Sequence, residues 1–399
     1  MASTTTTTTT TQVYKDTYGQ DFTPPDFTIK DILDAIPKRC YERSYLRSYS
    51  YVARDLACIA AVFYLGTKIQ LLPSVGLRFV AWTLYTIVQG LFGTGIWVLA
   101  HECGHGAFSP SRLVNDITGW ILHSALFVPY HSWRITHSKH HKATGHLQRD
   151  MVFVPKDQER YLQSREILEL AEEAPIISLY WLVVQQLFGW PTYLAINVTG
   201  QKYNGASKWY MSHFNPVAPM FDPKDFWDVI VSDVGMLCAG YLSYLAIHNF
   251  GWANYILFYF IPYLWVNHWL VFITYLQHTD PCLPHYDAAE WNFARGAAAT
   301  IDRDFGFVGR HIFHEIIETH VAHHYVSRIP FYHGEEATEA IKRVMGKHYR
   351  RDTTNMFVAL WRAVRMCQFV EGTEGVKMYR NGNGYGPKPE HLVLKEKAN

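Results

Sequence analysis

Residues 77–105 read LRFVAWTLYTIVQGLFGTGIWVLAHECGH, an apolar run closed by a polar pentapeptide with a histidine at each end. A helix needs roughly 20 apolar residues to cross the hydrocarbon layer of a bilayer, and the stretch 77–100 meets that length. It is expected to span a membrane. If the helix continues through the pentapeptide, His101 and His105 stand at i and i+4 and share one face. A metal-ligand pair would then sit at the membrane surface.

Other apolar stretches lie at about 55–72, 176–199, 227–249 and 252–275. The Pro73-Ser74-Val75-Gly76 turn joins 55–72 to 77–100, and a turn at Asn249-Phe250-Gly251 joins the last two, so each pair is expected to form a helical hairpin. The 176–199 stretch carries Gln185 and Gln186 and is broken at Trp190-Pro191. It is assigned to an interfacial or re-entrant helix, and 117–130, with His123 and Pro129, to a second interfacial segment. Parity supports this reading. If all histidine clusters meet at one centre, the chain between the second and third must cross an even number of times. Lys38, Arg39, Arg43, Arg47 and Arg54 before the first span place the N-terminus in the cytosol, and four crossings return the C-terminus there.

The chain has 399 residues, of which 49% are hydrophobic and 16% aromatic, and its mean hydropathy is slightly negative, so membrane spans must coexist with a large polar part. Net charge is +1 with no basic tract, which speaks against nucleic acid as a partner. Six scattered cysteines (40, 58, 103, 238, 282, 367) form no CxxC pair and suggest neither a disulfide framework nor a thiolate zinc site. Residues 1–26, with a threonine run at 4–11, are expected to be a disordered tail. No signal-peptide pattern precedes the first apolar stretch, so that stretch is expected to act as an uncleaved anchor. Residues 27–370 form one domain in this reading, and 371–399 a C-terminal tail. The fold class expected is all-α integral membrane, with four transmembrane helices as two hairpins, interfacial helices and a cytosolic cap that holds a histidine-rich metal site.

Histidine is the residue that stands out, with 21 copies. Besides His101 and His105, the chain carries His137-Ser138-Lys139-His140-His141 and His320-Val321-Ala322-His323-His324. At this histidine content, chance would give on the order of 0.06 HxxHH patterns, and the chain has two. Eight neutral imidazoles are too many for one metal ion and suit two, with positions left over for other ligands. Imidazole serves zinc, copper, iron and nickel alike, so ligand type leaves the metal open. Two other classes use some of the same residues. His101-Glu102-x-x-His105 is also the pattern of a zinc protease, in which the glutamate is a general base, but that reading leaves both HxxHH clusters unexplained. A metal transporter would bury its ligands near the bilayer midplane, whereas these clusters lie at span ends and in loops.

The segments HECGH at 101, HSWRITHSKHHKATGH at 131, TYLQHTDPCLPHYDAAEWNFARGA at 274 and THVAHHYVSRIPFYH at 319 resemble the membrane-bound acyl-lipid fatty acid desaturases. The resemblance runs from Phe27 to Val370 and is greatest to the omega-6 (delta-12) oleate desaturases of fungi. It implies two iron ions, molecular oxygen as co-substrate, two electrons from cytochrome b5, and a cis double bond placed in a fatty acyl chain. Alternatives within the resemblance are an omega-3 (delta-15) or bifunctional desaturase and an acyl hydroxylase. The acyl carrier is phospholipid or coenzyme A. A fused electron donor would bring a His-Pro-Gly-Gly segment, which the sequence lacks, so cytochrome b5 and its NADH-dependent reductase are expected as separate partners at the membrane. Lys395 and Lys397 match a dilysine retrieval pattern and point to the endoplasmic reticulum membrane.

The metal ligands expected are His101, His105, His137, His140, His141, His320, His323 and His324, with His278, directly after the fourth span, as a ninth candidate. His314, Glu102, Asp150, Asp280 and Glu318 are expected to hydrogen-bond to ligands rather than to metal. His123, His131, His146, His285 and His333 are taken as structural or surface residues. Trp97, Trp265, Phe272 and Tyr275 are candidates for lining an acyl slot, although aromatic stripes in membrane helices more often serve packing.

Overall fold

The computed structural model describes residues 12–166, 174–203 and 205–387. The chain starts with a short hairpin, β1 (Tyr14–Lys15) against β2 (Asp21–Phe22), and then α1 (Ile29–Ala35), opened by a reciprocal cap between Thr28 and Asp31. Ser44 caps α2 (Tyr45–Gly66) and Ser74 caps α3 (Val75–His105), each hydroxyl accepting from a free N–H of the first turn. The two helices pack together as a hairpin. Gly106, at φ 70, ends α3 directly after His105, a conformation that glycine adopts without a Cβ clash. The chain turns through α4 (Arg112–Ser124) into α5 (Tyr130–His141), which carries the second histidine cluster.

After α6 (Gln158–Glu166) and α7 (Pro175–Ile196) comes α8 (Phe226–Phe250). Then α9 (Trp252–Tyr255), a π-helical turn (Ile256–Phe260) and α10 (Ile261–His278) run on as one rod. Helix α8 leaves Val234, Leu237, Leu242 and Phe250 exposed, as a lipid-facing helix does. Helix α10 packs against both α3 and α7. The contact with α3 is close because Gly90 and Gly93 have no side chain. A Cβ on Gly90 would lie 2.3 Å from Trp265 Cβ, and one on Gly93 2.8 Å from Val266 Cγ2.

The cap over one end of these helices holds β3 (Pro284–Tyr286), α11 (Phe293–Ala297), β4 (Asp302–Arg303), a π-helical turn (Val308–Ile312), α12 (His320–Tyr325) with the third cluster, α13 (Gly334–Met345), β5 (Arg351–Asp352), α14 (Met356–Met366), β6 (Phe369–Glu371) and β7 (Val376–Arg380). Strand β7 is the centre of an antiparallel sheet ordered β3-β7-β6, while β4 and β5 form a short parallel pair. The main apolar core joins α3, α7, α10, α14 and the cap through Trp97, Trp190, Trp269, Phe272, Phe313 and Leu360.

Three helices among the described residues are long and apolar enough to cross a membrane: Val75–His105, Pro223–Phe250 and Trp252–His278. The expected crossing at 55–72 is not among them. Helix α2 ends at Gly66, Thr67–Ser74 turn the chain, and Asp55 interrupts the apolar run. Its apolar part after Asp55 is therefore only roughly 16 Å long. Helix α7 runs unbroken through Pro191, and the segment 117–130 is divided between α4 and α5 by a turn at Phe127 (φ 53). Both expected tails are partly folded. Thr17 N–H donates to Pro281 O and its hydroxyl to Tyr379 O, and Phe22 is buried with Tyr286, Val376 and Met378. The N-terminal hairpin and β7 thus cover each other, a long-range pairing that no local window reveals. The threonine run to residue 11 and the two lysines at 395 and 397 lie outside the described residues.

The close contact of α3 with α10 is testable. Gly90→Ala should destabilise the protein by about 1–3 kcal/mol through overpacking. Gly76→Ala, where nothing lies within 4 Å, should not. Thermal unfolding in detergent compares the two.

Candidate metal centre

The three histidine clusters meet at the cap ends of α3, α5 and α10, with α12 closing over them. His101, His105, His137, His141 and His323 offer ligand nitrogens that all lie within 4.8 Å of one another, and His140, His278 and His324 form a second group on the same criterion. His320 joins the second through its Nε2, 3.1 Å from His278 Nε2. Neighbouring residues of a helix point about 100° apart. Each adjacent pair is split by that angle: His141 faces the first group and His140 the second, His323 the first and His324 the second.

Within the first group, His101 Nε2 lies 3.0 Å from His137 Nε2 and 3.1 Å from His105 Nε2, and His137 Nε2 lies 3.2 Å from His141 Nε2. A ring nitrogen has one N–H or one lone pair in its plane, so it cannot share protons with two partners at once. His101 and His137 each have two. Lone pairs aimed at a common cation satisfy this geometry, and hydrogen bonding among the rings does not. Burial, reinforced by the neighbouring rings, holds His137, His141, His320, His323 and His324 well below the usual histidine range, so they are neutral and their lone pairs free.

Groups behind the rings fix which nitrogen faces inward. His140 Nδ1–H donates to Asp150 Oδ1 at 2.7 Å, and the same carboxylate accepts from the backbone N–H groups of Gly145, Val152 and Phe153. His324 Nδ1 lies 3.1 Å from Thr144 Oγ1, whose own hydrogen goes to His140 O, so His324 donates and its buried Nε2 has no partner other than the one the cluster would supply. Asp302 accepts from Val321 N–H at 2.7 Å and so anchors the first turn of α12. The residues present therefore fit two metal ions. Thr144 and Asp302 were missed in the sequence, although Thr144 stands four residues after His140 and so on its face.

The other expected residues divide. Glu102 stands 3.4 Å from His101 Nδ1 and accepts from Phe331 N–H. It lies behind the ring, not beside the Nε2 that faces the cluster, so it is misplaced for the general base of a zinc protease. Asp280 and Glu318 do not reach the histidines. Asp280 pairs with the buried Arg303 at 2.9 Å, and Glu318 accepts from Phe305 N–H at 3.0 Å, because the chain turns both away after the span and the π-helical turn. His314 bonds to Asp55 Oδ2 at 2.8 Å instead of to a ligand. His123, His131, His146 and His285 are buried outside both groups.

An apolar cavity of about 320 Å³ opens against His101, His137, His140, His278 and His320, so it touches both groups. Of the four aromatic candidates, Trp97 and Tyr275 line it. Trp265 and Phe272 do not: Trp265 packs on Gly90, and Phe272 on Phe305 and Phe357. Its further wall is α7, through Gln185, Trp190 and Tyr193. The fatty acid desaturase family model matches residues 78–355. This chain belongs to the fatty acid desaturase family. A second match, to a domain of unknown function, covers residues 3–65. The desaturase is 52% identical to an oleate hydroxylase of Claviceps purpurea over 94% of this chain and 85% of that protein. It is 48% identical to a delta(12) fatty acid desaturase of Mortierella alpina, covering 92% of this chain and 94% of the relative. It is also 44% identical to an endoplasmic reticulum omega-6 fatty acid desaturase isozyme of Glycine max, covering 90% and 92%. The desaturase is thus an oxidoreductase acting on acyl lipids.

Asp150→Ala should lower metal affinity about 10–100-fold by freeing the His140 ring. Glu102→Gln, which keeps an acceptor for Phe331 N–H, should change it far less. Equilibrium dialysis with elemental analysis reads both.

Proposed function

We propose that this desaturase converts an oleoyl chain to a linoleoyl chain, with two iron ions held by nine histidines. His101, His105, His137, His141 and His323 would hold one ion, and His140, His278, His320 and His324 the other. The observation that carries this reading is the apolar cavity that ends on histidines of both groups. An unactivated methylene has no acidic proton, so acid–base residues alone cannot break its C–H bond; the bound irons, with molecular oxygen, supply the oxidising power. The chain's own part is to hold and shield. Trp97, Trp190, Tyr193 and Ile273 present an apolar wall that excludes water and fixes one stretch of the acyl chain beside the histidines. Asp150 and Thr144 keep the rings in the tautomer that leaves their lone pairs free.

Electrons come, in this reading, from cytochrome b5 and its NADH-dependent reductase on the cytosolic face of the endoplasmic reticulum, and the acyl carrier is phospholipid or coenzyme A. The topology proposed is four crossings in two hairpins, α2 with α3 and α8 with α9–α10, with both termini cytosolic. Helix α2, too short to cross on its apolar part after Asp55, would cross on its full 22 residues, roughly 33 Å, with Asp55 tolerated because that side chain faces inward, to His314, and not to lipid. A second reading, acyl hydroxylation, is favoured by the 52% identity to an oleate hydroxylase.

Expression in a host that makes oleate but not linoleate should yield linoleate, and the His323→Ala, His324→Ala double variant should yield none. A hydroxylated product instead would establish the second reading, and neither product would sink both. Glycosylation acceptors inserted after Ser74 and after Gly251 should be modified, while acceptors near residues 215 and 383 should not. Modification near 215 would mean that α7 crosses the membrane.

A further inference from the structure

We infer that Asp55 and His314 form a buried latch through which the first long helix positions the third histidine cluster. Asp55 is fully buried within α2. Its two oxygens are divided: Arg54 donates to Oδ1 through Nε (2.8 Å) and Nη2 (2.7 Å), and His314 Nε2 lies 2.8 Å from Oδ2. A carboxylate with both oxygens engaged in an apolar hairpin is a built contact, since an unpaired one there would be strongly destabilising. His314 and the following Glu315 both have positive φ, 52 and 59, a conformation that non-glycine residues hold only when their surroundings impose it. The Asp55 contact is what the His314 ring meets. Room for it comes from Gly95 on α3, where a Cβ would stand 2.5 Å from Ile312 O and 3.0 Å from Asp55 Oδ2.

The latch lies six residues before His320. On the far side of α12, Phe331 N–H donates to Glu102 on α3, and the Phe331 ring packs on the His314 ring at 4.9 Å. The arm that carries His320, His323 and His324 is therefore pinned at both ends to the α2–α3 hairpin, which also carries His101 and His105. Neither Asp55 nor His314 belongs to the histidine groups; both are positioning residues. Asp55 falls in the stretch 3–65 matched by a domain of unknown function, and the latch gives that stretch a role in the metal centre.

The proposal rests on the two-iron reading, and one experiment separates the two. Full-length wild type, Asp55→Asn, Asp55→Leu, His314→Leu and the double Leu variant are purified in detergent and loaded with iron. Iron retained is then titrated against a ferrous chelator, and thermal unfolding of the iron-free proteins is recorded alongside. Each Leu variant should lose iron at a chelator concentration about 10–100-fold below wild type. Asp55→Asn, which keeps an acceptor for His314, should stay within about threefold, and the double variant should be no worse than either single one, because the pair acts as a unit. If one Leu variant does not accumulate as folded protein, the other carries the test. If neither does, His314→Asn, which suits a positive φ but is too short to reach Asp55, carries the test instead: a midpoint about tenfold or more below wild type supports the latch and a wild-type midpoint overturns it. Leu variants with the wild-type midpoint, or with a lower iron-free unfolding temperature and that same midpoint, overturn the latch alone. Wild type that holds no iron overturns the two-iron reading instead.

Discussion

Everything in this structure is arranged around lone pairs brought close together. Imidazole nitrogens 3.0–3.2 Å apart, in contacts that proton sharing cannot satisfy, repel one another until a cation stands between them. Such a cluster cannot assemble itself. It has to be imposed by a scaffold stiff enough to hold it, which explains why its members come from the ends of packed helices and not from free loops. The close glycine-mediated contact of α3 with α10 sets two of the four ligand-bearing elements. Hydrogen bonds behind the rings then choose the tautomer, since one donor fixed at Nδ1 leaves only Nε2 for the centre.

The helical spacing that makes the clusters visible in the sequence also determines how they are used. An HxxHH segment on a helix places its first and last histidines on one face and swings the middle one about 100° away. In α5 this gives His137 and His141 to one group and His140 to the other. The box histidines were legible because their relations are local, within five residues. His278 was legible for a different reason, its place directly after the last expected span, at the face where the clusters were expected to lie. What local spacing does not carry is the direction of a side chain after a turn. Asp280 and Glu318 stand two residues from histidines in the sequence, yet one faces Arg303 and the other the backbone of Phe305.

The same limit explains the rest of what the sequence left unread. Gln185 and Gln186 marked α7 as unlike a lipid-facing span, but not that the helix would pack on α10 and wall the cavity. Asp55 passed unremarked at the start of an expected crossing, and the residue that makes its charge tolerable lies 259 positions away. The N-terminal hairpin and β7 each look too small to bury anything, and each is right for the other because Phe22 and Met378 share one pocket of core. In all three cases the decisive partner is remote, and burial is a property of the pair.

The relation between desaturation and hydroxylation follows from where the variable parts lie. On the proposed reading, both reactions begin by breaking the C–H bond of an unactivated methylene beside the same histidines, and they diverge in whether a neighbouring carbon then loses a second hydrogen or the first gains oxygen. That choice depends on how far each carbon stands from the centre, which is set by the walls of the cavity and not by the ligands. Much of those walls belongs to α7 and α10, where a Cβ on Gly189 would meet Val271 at 3.1 Å, so small changes in side-chain volume there translate directly into movement of the chain. A close likeness to a hydroxylase and a desaturase at once is what such an architecture permits: the ligand set can stay fixed while the slot beside it is retuned.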